Sequence, residues 1–72
     1  MKEYIHNTVY DLRDARGMTQ EDLAVALGVS RQTIIAIEKG TYTPSVLLAL
    51  KIGKVFGTPV EEIFTIRKRN HA

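Results

Sequence analysis

The side chains with the clearest binding chemistry lie between residues 31 and 39 of this 72-residue chain. Arg31 and Gln32 are suited to base edges, because arginine can form two hydrogen bonds with guanine and glutamine two with adenine. Lys39 follows about two helical turns later and can contact a phosphate. Ile35 lies between them and can contact the methyl group of thymine. This set predicts nucleic-acid binding; the alternatives are solvated side chains on an exposed helix, or an Arg31 that contacts only phosphate.

Residues suited to catalysis or metal binding do not form a set in this sequence. His6 and His71 have no cysteine, aspartate or histidine at the spacing of metal ligands, and the chain contains no cysteine. The sequence also lacks a serine–histidine–aspartate set, a glycine-rich phosphate loop and an isolated pair of carboxylates. We therefore expect neither an enzyme nor a metal or other cofactor.

The composition is that of one small globular domain. Hydrophobic residues make up 44% of the chain and charged residues 25%, which is ordinary for a soluble protein. No apolar run approaches the roughly 18 residues needed to span a bilayer, so no membrane partner is expected. The lack of cysteine and of a secretion signal in the first residues favours the cytoplasm. The net charge of +2 is only a weak indication of a polyanionic partner.

Two short helices joined by a tight turn position the candidate binding residues. Thr19 is a suitable N-cap for the first helix, and Gly28 suits the left-handed residue that ends it. Ser30 is a suitable N-cap for the second helix, in which Ile34 and Ile37 face inward. Two helices and a glycine turn within about twenty residues form the helix-turn-helix arrangement.

Three further helices are expected around this motif. Capping residues, glycines and prolines predict a helix from Asn7 to Arg16, a helix from Pro44 to Phe56 capped by Thr43, and a short helix from a capping box at Thr58 to Phe64. The helix that ends at Phe56 is the most apolar of the set. Five helices in one domain follow from this pattern.

The order of these residues resembles the lambda-repressor/Cro-type helix-turn-helix family, also called the xenobiotic-response-element type. The matching residues are Leu12-Arg13, Gly17, Thr19-Gln20-Glu21-Asp22-Leu23-Ala24, Leu27-Gly28-Val29-Ser30, Ile34, Ile37-Glu38-Lys39-Gly40, Pro44, Phe56-Gly57 and Ile63-Phe64. The resemblance implies an all-α, compact five-helix DNA-binding domain over residues 7–64. Residues 1–6 would then be an N-terminal extension and residues 65–72 a basic C-terminal tail.

The function that the resemblance implies is transcriptional regulation. A member of this family is expected to bind double-stranded DNA as a homodimer on a two-fold-related operator, and repression is the default expectation. The rival hypothesis is a protein–protein interaction module, such as an antitoxin that binds a protein partner and binds DNA only secondarily.

Expected DNA contacts extend beyond the second helix of the motif. Gln20 lies in the first turn of the preceding helix, where free backbone N–H groups favour a phosphate, whereas Thr19 primarily caps. Lys39, Thr41 and Tyr42 are either phosphate contacts or solvated loop residues. The full expected set is Thr19, Gln20, Ser30, Arg31, Gln32, Thr33, Ile35, Ala36, Lys39, Thr41 and Tyr42.

Two positions have structural alternatives. Ile35 either faces outward toward DNA or packs beneath the loop at residues 40–43. Glu38 lies near the end of its helix, where the helix dipole disfavours a carboxylate. The family resemblance supplies its expected partner, Arg13, in an ion pair that would fix the first and third helices relative to each other.

The apolar C-terminal third of the chain has two interpretations. Either all of its apolar residues belong to the core, or some of them form a dimer interface, which the small size of the chain favours. The expected interface residues are Val55, Val60, Ile63, Phe64 and Ile66. Tyr4-Ile5 and Phe64-Thr65-Ile66 are candidates for short terminal β-strands, paired within one chain or across the dimer.

Overall fold

The computed structural model describes residues 2–69, which form five helices and two strands. The elements are β1 (Lys2–Asn7), α1 (Val9–Ala15), α2 (Gln20–Leu27), α3 (Arg31–Lys39), α4 (Val46–Phe56), α5 (Val60–Ile63) and β2 (Phe64–Arg69). The expectation of five helices with two short terminal strands is confirmed. The strands pair with each other within one chain, as an antiparallel two-stranded ribbon that we call the terminal ribbon.

All five helices contribute buried apolar side chains to one core. These side chains are Val9, Leu23, Ala24, Leu27, Ile34, Ile37, Leu48, Ile52, Phe56 and Ile63. The spacing of Leu23 and Leu27 on α2, and of Ile34 and Ile37 on α3, puts each pair on one side of its helix. Both isoleucines of α3 are fully buried, so the opposite side of α3 faces away from the core.

The turn between α2 and α3 is fixed by backbone hydrogen bonds. Gly28 adopts a left-handed conformation with φ of +73°, which a side chain at this position would disfavour. The Gly28 N–H donates to the Val25 carbonyl at 3.2 Å and the Val29 N–H to the Ala24 carbonyl at 3.0 Å, which together form a Schellman motif. Ser30 then caps α3 by accepting a hydrogen bond from the Thr33 N–H. This turn sets the direction in which α3 leaves α2.

Two helix starts differ from the sequence prediction. Ser45, not Thr43, caps α4, and its hydroxyl accepts a hydrogen bond from the Leu48 N–H at 3.1 Å. Thr58 does not cap α5, because its backbone N–H closes the end of α4 on the Gly53 carbonyl and its hydroxyl donates to the Phe56 carbonyl. Each residue is held by a neighbouring contact that the local sequence pattern does not show.

The C-terminal residues also differ from the prediction. Residues 65–69 were expected to begin a basic tail, but they belong to β2 and pair with β1. Residues 70–72 of that tail, including His71, lie outside the described part of the chain. The N-terminal extension and much of the expected tail therefore form one ribbon.

The capping box of α2 gives a pH-dependent contribution to stability. The Asp22 carboxylate accepts a hydrogen bond from the Thr19 N–H at 2.9 Å, and the Thr19 hydroxyl accepts one from the Asp22 N–H at 2.9 Å. The bond from the Thr19 backbone N–H is the main reason that the pKa of Asp22 is lowered in the folded protein. The ionised carboxylate therefore stabilises the fold above its unfolded pKa of about 3.9. This contribution disappears as the pH falls through the lower folded pKa.

We expect Asp22→Asn to flatten the acid limb of a plot of melting temperature against pH. The reason is that asparagine has no carboxylate whose protonation could break the cap. Thermal unfolding followed by circular dichroism between pH 2 and pH 7 measures the effect, with Glu21→Gln as the control for loss of a neighbouring carboxylate. An acid limb as steep in Asp22→Asn as in the wild type would contradict the assignment.

Candidate nucleic-acid interface

The side of α3 that faces away from the core carries the candidate base-reading residues. A helix turns by about 100° per residue, so Gln32, Ile35 and Lys39 lie on the side opposite Ile34 and Ile37. Gln32 and Lys39 are exposed and Ile35 is half-buried. Together they span the length of a nine-residue helix with a polar residue at each end.

Ile35 faces away from the protein interior. The half-buried apolar side chains that pack on the core are Leu12, Met18, Val29, Val55 and Phe64, and Ile35 is not among them. The grooves that border the loop after α3 are also lined by other residues. Of the two positions considered for Ile35, the outward one agrees with the structure.

Arg31 joins the start of α3 to the start of α2. It is exposed at the first position of α3 and lines an open cleft of about 450 Å³. Thr19 and Gln20, at the beginning of α2, line the same cleft. The backbone N–H groups of a first helical turn favour anions, so the fold brings a cation and a helix N-terminus to one surface.

The hydroxyls of Ser30 and Thr33 stabilise the first turn of α3. Ser30 Oγ accepts a hydrogen bond from the Thr33 N–H at 3.2 Å and lies 3.0 Å from Thr33 Oγ1. Since one hydroxyl of such a pair donates to the other, one hydroxyl hydrogen is left for an outside acceptor. The primary role of both residues in this structure is to cap the reading helix.

The loop after α3 uses several of its donors internally. The Thr41 N–H and hydroxyl both donate to the Ala36 carbonyl, at 3.0 and 3.3 Å, and close the end of the helix. Tyr42 is 45% exposed and lines a groove of about 480 Å³ beside the terminal ribbon. Lys39 is exposed at the last position of α3. Lys39 is therefore the most available donor of this region.

Glu38 holds α3 to both preceding helices. Arg13 of α1 donates to it from Nε to Oε2 at 2.7 Å and from Nη2 to Oε1 at 3.2 Å. Gln20 of α2 donates from Nε2 to Oε1 at 3.2 Å. The hydrogen bond to Glu38 is the main reason that the pKa of Arg13 is raised above its ordinary value. The ion pair implied by the family resemblance is thus present, and it is nearly buried, with side chains 11% and 8% exposed.

Two internal hydrogen bonds of this region were not predicted from the sequence. The bond from Gln20 to Glu38 occupies one N–H of the amide that was expected to contact phosphate, although the second N–H of the amide is not used by this bond. Asn7 Nδ2 donates to the Ile37 carbonyl at 2.9 Å and ties the terminal ribbon to the end of α3. No local pattern signals either bond, because the partners are 18 and 30 residues apart.

The expected dimer residues are not equally accessible. Ile63 is fully buried in the core of one protomer, so its assignment to a dimer interface is wrong. Val55 and Phe64 are half-buried and pack on the core, and Val60 is also half-buried. Ile66 is 68% exposed on β2. Burial of Ile63 follows from its position at the end of α5, where the chain turns into β2.

Neither metal binding nor membrane insertion is indicated for residues 2–69. Within this range, no three histidine, aspartate or glutamate side chains are grouped so that they could hold a metal ion. None of the five helices combines the length and the apolar character of a membrane span.

Comparison with known proteins agrees with this geometry. The sequence profile of the helix-turn-helix family matches residues 9–63. An uncharacterised HTH-type transcriptional regulator of Methanocaldococcus jannaschii is 65% identical over 52 residues, covering 72% of this chain and 79% of the relative. The regulator YgzD of Bacillus subtilis is 50% identical over 64 residues, covering 89% of this chain and 97% of YgzD.

More distant similarities extend to proteins with more specific names. The CTXphi transcriptional repressor RstR of Vibrio cholerae is 36% identical over 62 residues, covering 86% of this chain and 56% of RstR. The crystal structure of the restriction-modification controller protein C.AhdI of Aeromonas hydrophila superimposes with a TM-score of 0.69. It shares 30% identity, and the match covers 75% of this chain and 82% of C.AhdI. From its sequence, its fold and the exposed face of α3, the chain belongs to the xenobiotic-response-element type of the helix-turn-helix family and is a transcriptional regulator with a helix-turn-helix DNA-binding domain, not an enzyme.

Proposed function

We propose that the protein is a sequence-specific repressor that binds double-stranded DNA as a homodimer and reads the major groove with α3. The observation that carries this proposal is the outward face of α3. Gln32, Ile35 and Lys39 follow one side of a helix that Glu38 clamps to the rest of the domain. A rigidly held helix with such a face matches the width and chemistry of the major groove.

Base reading is proposed for the first turns of α3. Arg31 and Gln32 are exposed and, within residues 2–69, form no hydrogen bond, so their side chains are available for guanine and adenine. Ile35 would contact a thymine methyl, and Ala36 leaves space for the groove wall. Ser30 and Thr33 would contribute the hydroxyl hydrogen that their mutual cap leaves available.

Phosphate contacts are proposed on both sides of the reading helix. Thr19 and Gln20 would bind one phosphate in the cleft that they share with Arg31, where the N-terminus of α2 favours an anion. Lys39, Thr41 and Tyr42 would contact phosphates beyond the other end of α3. Such contacts set the register of the protein on the duplex, whereas α3 supplies the sequence preference.

The repressor role is supported by similarity to RstR, whose name describes a transcriptional repressor. C.AhdI, which the fold resembles, is named as a controller of a restriction-modification system. Both names describe control of gene expression by proteins with a related domain. A dimer that covers a promoter would act in the same way, by excluding other proteins from that DNA.

A homodimer is proposed because one protomer offers one reading helix. Two copies would present their α3 helices about 34 Å apart, at successive turns of the major groove. Exposed apolar side chains support self-association: Val46, Leu47 and Leu50 of α4 are 76%, 66% and 54% exposed, and Ile66 is 68% exposed. With Val55, Val60 and Phe64 they provide the apolar surface that a small domain would cover in a dimer.

The dimer proposal predicts a particle of twice the 8.1 kDa chain mass. Sedimentation equilibrium at micromolar concentration is expected to give this mass in the absence of DNA. In the presence of a two-fold-symmetric duplex, two chains should bind each duplex. A single-chain mass together with one chain per duplex would contradict the proposal.

Selection of duplexes from a random pool tests the function as a whole. The purified protein is expected to enrich a two-fold-symmetric consensus with half-sites about 10 base pairs apart. Binding that depends on salt but shows no sequence preference would rule out a specific regulator. Stable co-purification with a second protein, without any affinity for duplexes in its absence, would instead support the antitoxin-type module.

A further inference from the structure

The terminal ribbon has two chemically different faces. In an antiparallel pair, residues directly opposite each other share a face, and successive residues alternate between faces. The register pairs Lys2 with Arg69, Tyr4 with Arg67 and His6 with Thr65, so these six residues lie on one face, which we call the basic face. It carries three cations and no carboxylate.

The opposite face of the ribbon has a different composition. Its pairs are Glu3 with Lys68, Ile5 with Ile66, and Asn7 with Phe64. The only carboxylate of the ribbon therefore lies opposite a lysine, on the face that does not carry the arginines. Segregation of this kind concentrates positive charge on the basic face, although the ribbon as a whole is of mixed composition.

An aromatic ring orders part of the basic face. The guanidinium carbon of Arg69 lies 4.9 Å from the centre of the Tyr4 ring, within the range of a cation–π contact. Arg67 is directly opposite Tyr4 in the register. Both arginines are exposed, so the contact leaves their outer N–H groups accessible. An arginine held over a ring in this way is presented with less conformational freedom than a solvated one.

The basic face adjoins the end of the reading helix. Asn7 at the end of β1 donates to the Ile37 carbonyl at 2.9 Å, which anchors the ribbon to α3. A cleft of about 270 Å³ is lined from the ribbon by Tyr4, His6 and Arg69, and from α3 by Lys39 and Glu38. The Glu38 charge in this cleft is compensated by Arg13. The cations of the ribbon therefore continue the positive surface that begins at Lys39.

The dimensions of the ribbon suit contacts outside the major groove. A six-residue antiparallel strand is about 20 Å long, whereas the major groove is about 12 Å wide. A ribbon that starts at the end of a helix lying in the groove therefore extends past the groove edge. The groups it meets there are backbone phosphates, which arginine binds with two parallel hydrogen bonds.

We propose that the basic face of the terminal ribbon, through Lys2, Arg67 and Arg69, binds DNA backbone phosphates that flank the segment read by α3. This inference rests on the proposed function, since it requires α3 to lie in the major groove. It adds a second DNA-binding element, one that contributes affinity and a longer footprint but no base reading. The chemistry of the site is that of a phosphodiester, not of an acidic side chain, because of its continuity with the reading helix.

Adjacent residues of β2 provide a matched pair of variants. Arg67→Gln removes one cation from the basic face, and Lys68→Gln removes one cation from the opposite face of the same strand. Both residues are exposed, so neither change is expected to alter the melting temperature appreciably. The probes are the selected consensus duplex extended by about ten base pairs, one helical turn, on each side, and the same duplex trimmed to the consensus. Dissociation constants are measured for each between about 50 and 200 mM NaCl.

Arg67→Gln is expected to weaken the salt dependence on the extended duplex only. Removal of one phosphate contact lowers the slope of log affinity against log salt by about 0.9, so the fourfold change in salt should alter affinity about 3.5-fold less than in the wild type. The double variant Arg67→Gln/Arg69→Gln should show twice this change in slope. Lys68→Gln should match the wild type, and the trimmed duplex should not distinguish any of the proteins.

The outcomes separate this inference from the proposed function. If the wild type binds its consensus with sequence preference and Arg67→Gln and Lys68→Gln behave alike, the ribbon proposal is wrong and the proposed function stands. If a bound acidic protein, and not duplex length, is what the Arg67 variant weakens, the ribbon is a protein-docking face and the proposal is wrong as well. If the wild type shows no preference for any duplex, both fail.

Discussion

Glu38→Ala is expected to lower the free energy of unfolding by about 3–5 kcal/mol, the range for removing one partner of a buried ion pair. The loss is large because the Arg13 guanidinium stays nearly buried, with a side chain only 11% exposed, and no longer has a counter-charge. For a domain of this size, such a change corresponds to a fall in melting temperature of more than about 10 °C. Chemical denaturation and thermal unfolding followed by circular dichroism measure it.

Other variants separate the ion pair from ordinary removal of contacts. Gln20→Ala removes a single hydrogen bond to Glu38, so it should cost about 1 kcal/mol. Arg13→Met combined with Glu38→Met removes both charges and should recover much of the stability that Glu38→Ala sacrifices. A melting temperature for Glu38→Ala within about 2 °C of the wild type, the effect of well under 1 kcal/mol, would show that the pair does not hold the helices together.

The same variant should also weaken DNA binding in the temperature range where it remains folded. Glu38 joins α3 to α1 through Arg13 and to α2 through Gln20, so its removal frees the reading helix to change its angle. A helix that is less well fixed must be ordered again on binding, which lowers affinity without changing the preferred sequence. An unchanged consensus with weaker binding is therefore the expected result of a second selection.

Gln32→Ala should have the largest effect on sequence recognition. Removal of a bidentate contact with adenine takes away about 1–3 kcal/mol of discrimination, equivalent to roughly 5–150-fold in the dissociation constant for the consensus duplex. Affinity for an unrelated duplex should not change, because Gln32 contributes no charge. Fluorescence anisotropy with the two duplexes at one fixed salt concentration measures both values.

Lys39→Ala is the comparison for this experiment, since Lys39 lies on the same face of α3 and is proposed to contact phosphate. It should weaken binding to both duplexes by a similar factor and lower the salt slope by about 0.9. The consensus selected by Gln32→Ala should be degenerate at one position of each half-site. If that consensus is the same as for the wild type, Gln32 does not read a base.

The sequence predicts the helices and the motif well because their signals are local. Thr19 and Ser30 cap α2 and α3 as expected, and Gly28 adopts the left-handed conformation that the turn requires. Capping and apolar spacing act over a few residues, so they are readable from the sequence. The prediction fails at Thr43 and Thr58, where a neighbouring serine or the closing turn of the previous helix takes over the role.

The ion pair was inferred from a different kind of signal. The unfavourable position of Glu38 near a helix C-terminus indicates that it needs a partner, but only the family resemblance identified Arg13. The third member, Gln20, was assigned to phosphate, and its bond to Glu38 is visible only in the structure. Side chains with several donors can satisfy more than one partner, so sequence position alone does not decide which contact they make.

By itself, the sequence determined the five helices, the turn at Gly28 and the outward face of α3, because each depends on residues close together in the chain. Only the tertiary structure decided which polar groups remain available to a partner, since that depends on what packs beside them. It also decided that Lys2, Arg67 and Arg69 share one face of a ribbon. Strand register joins residues far apart in the sequence, and a shift of one residue would move every side chain of a strand to the other face.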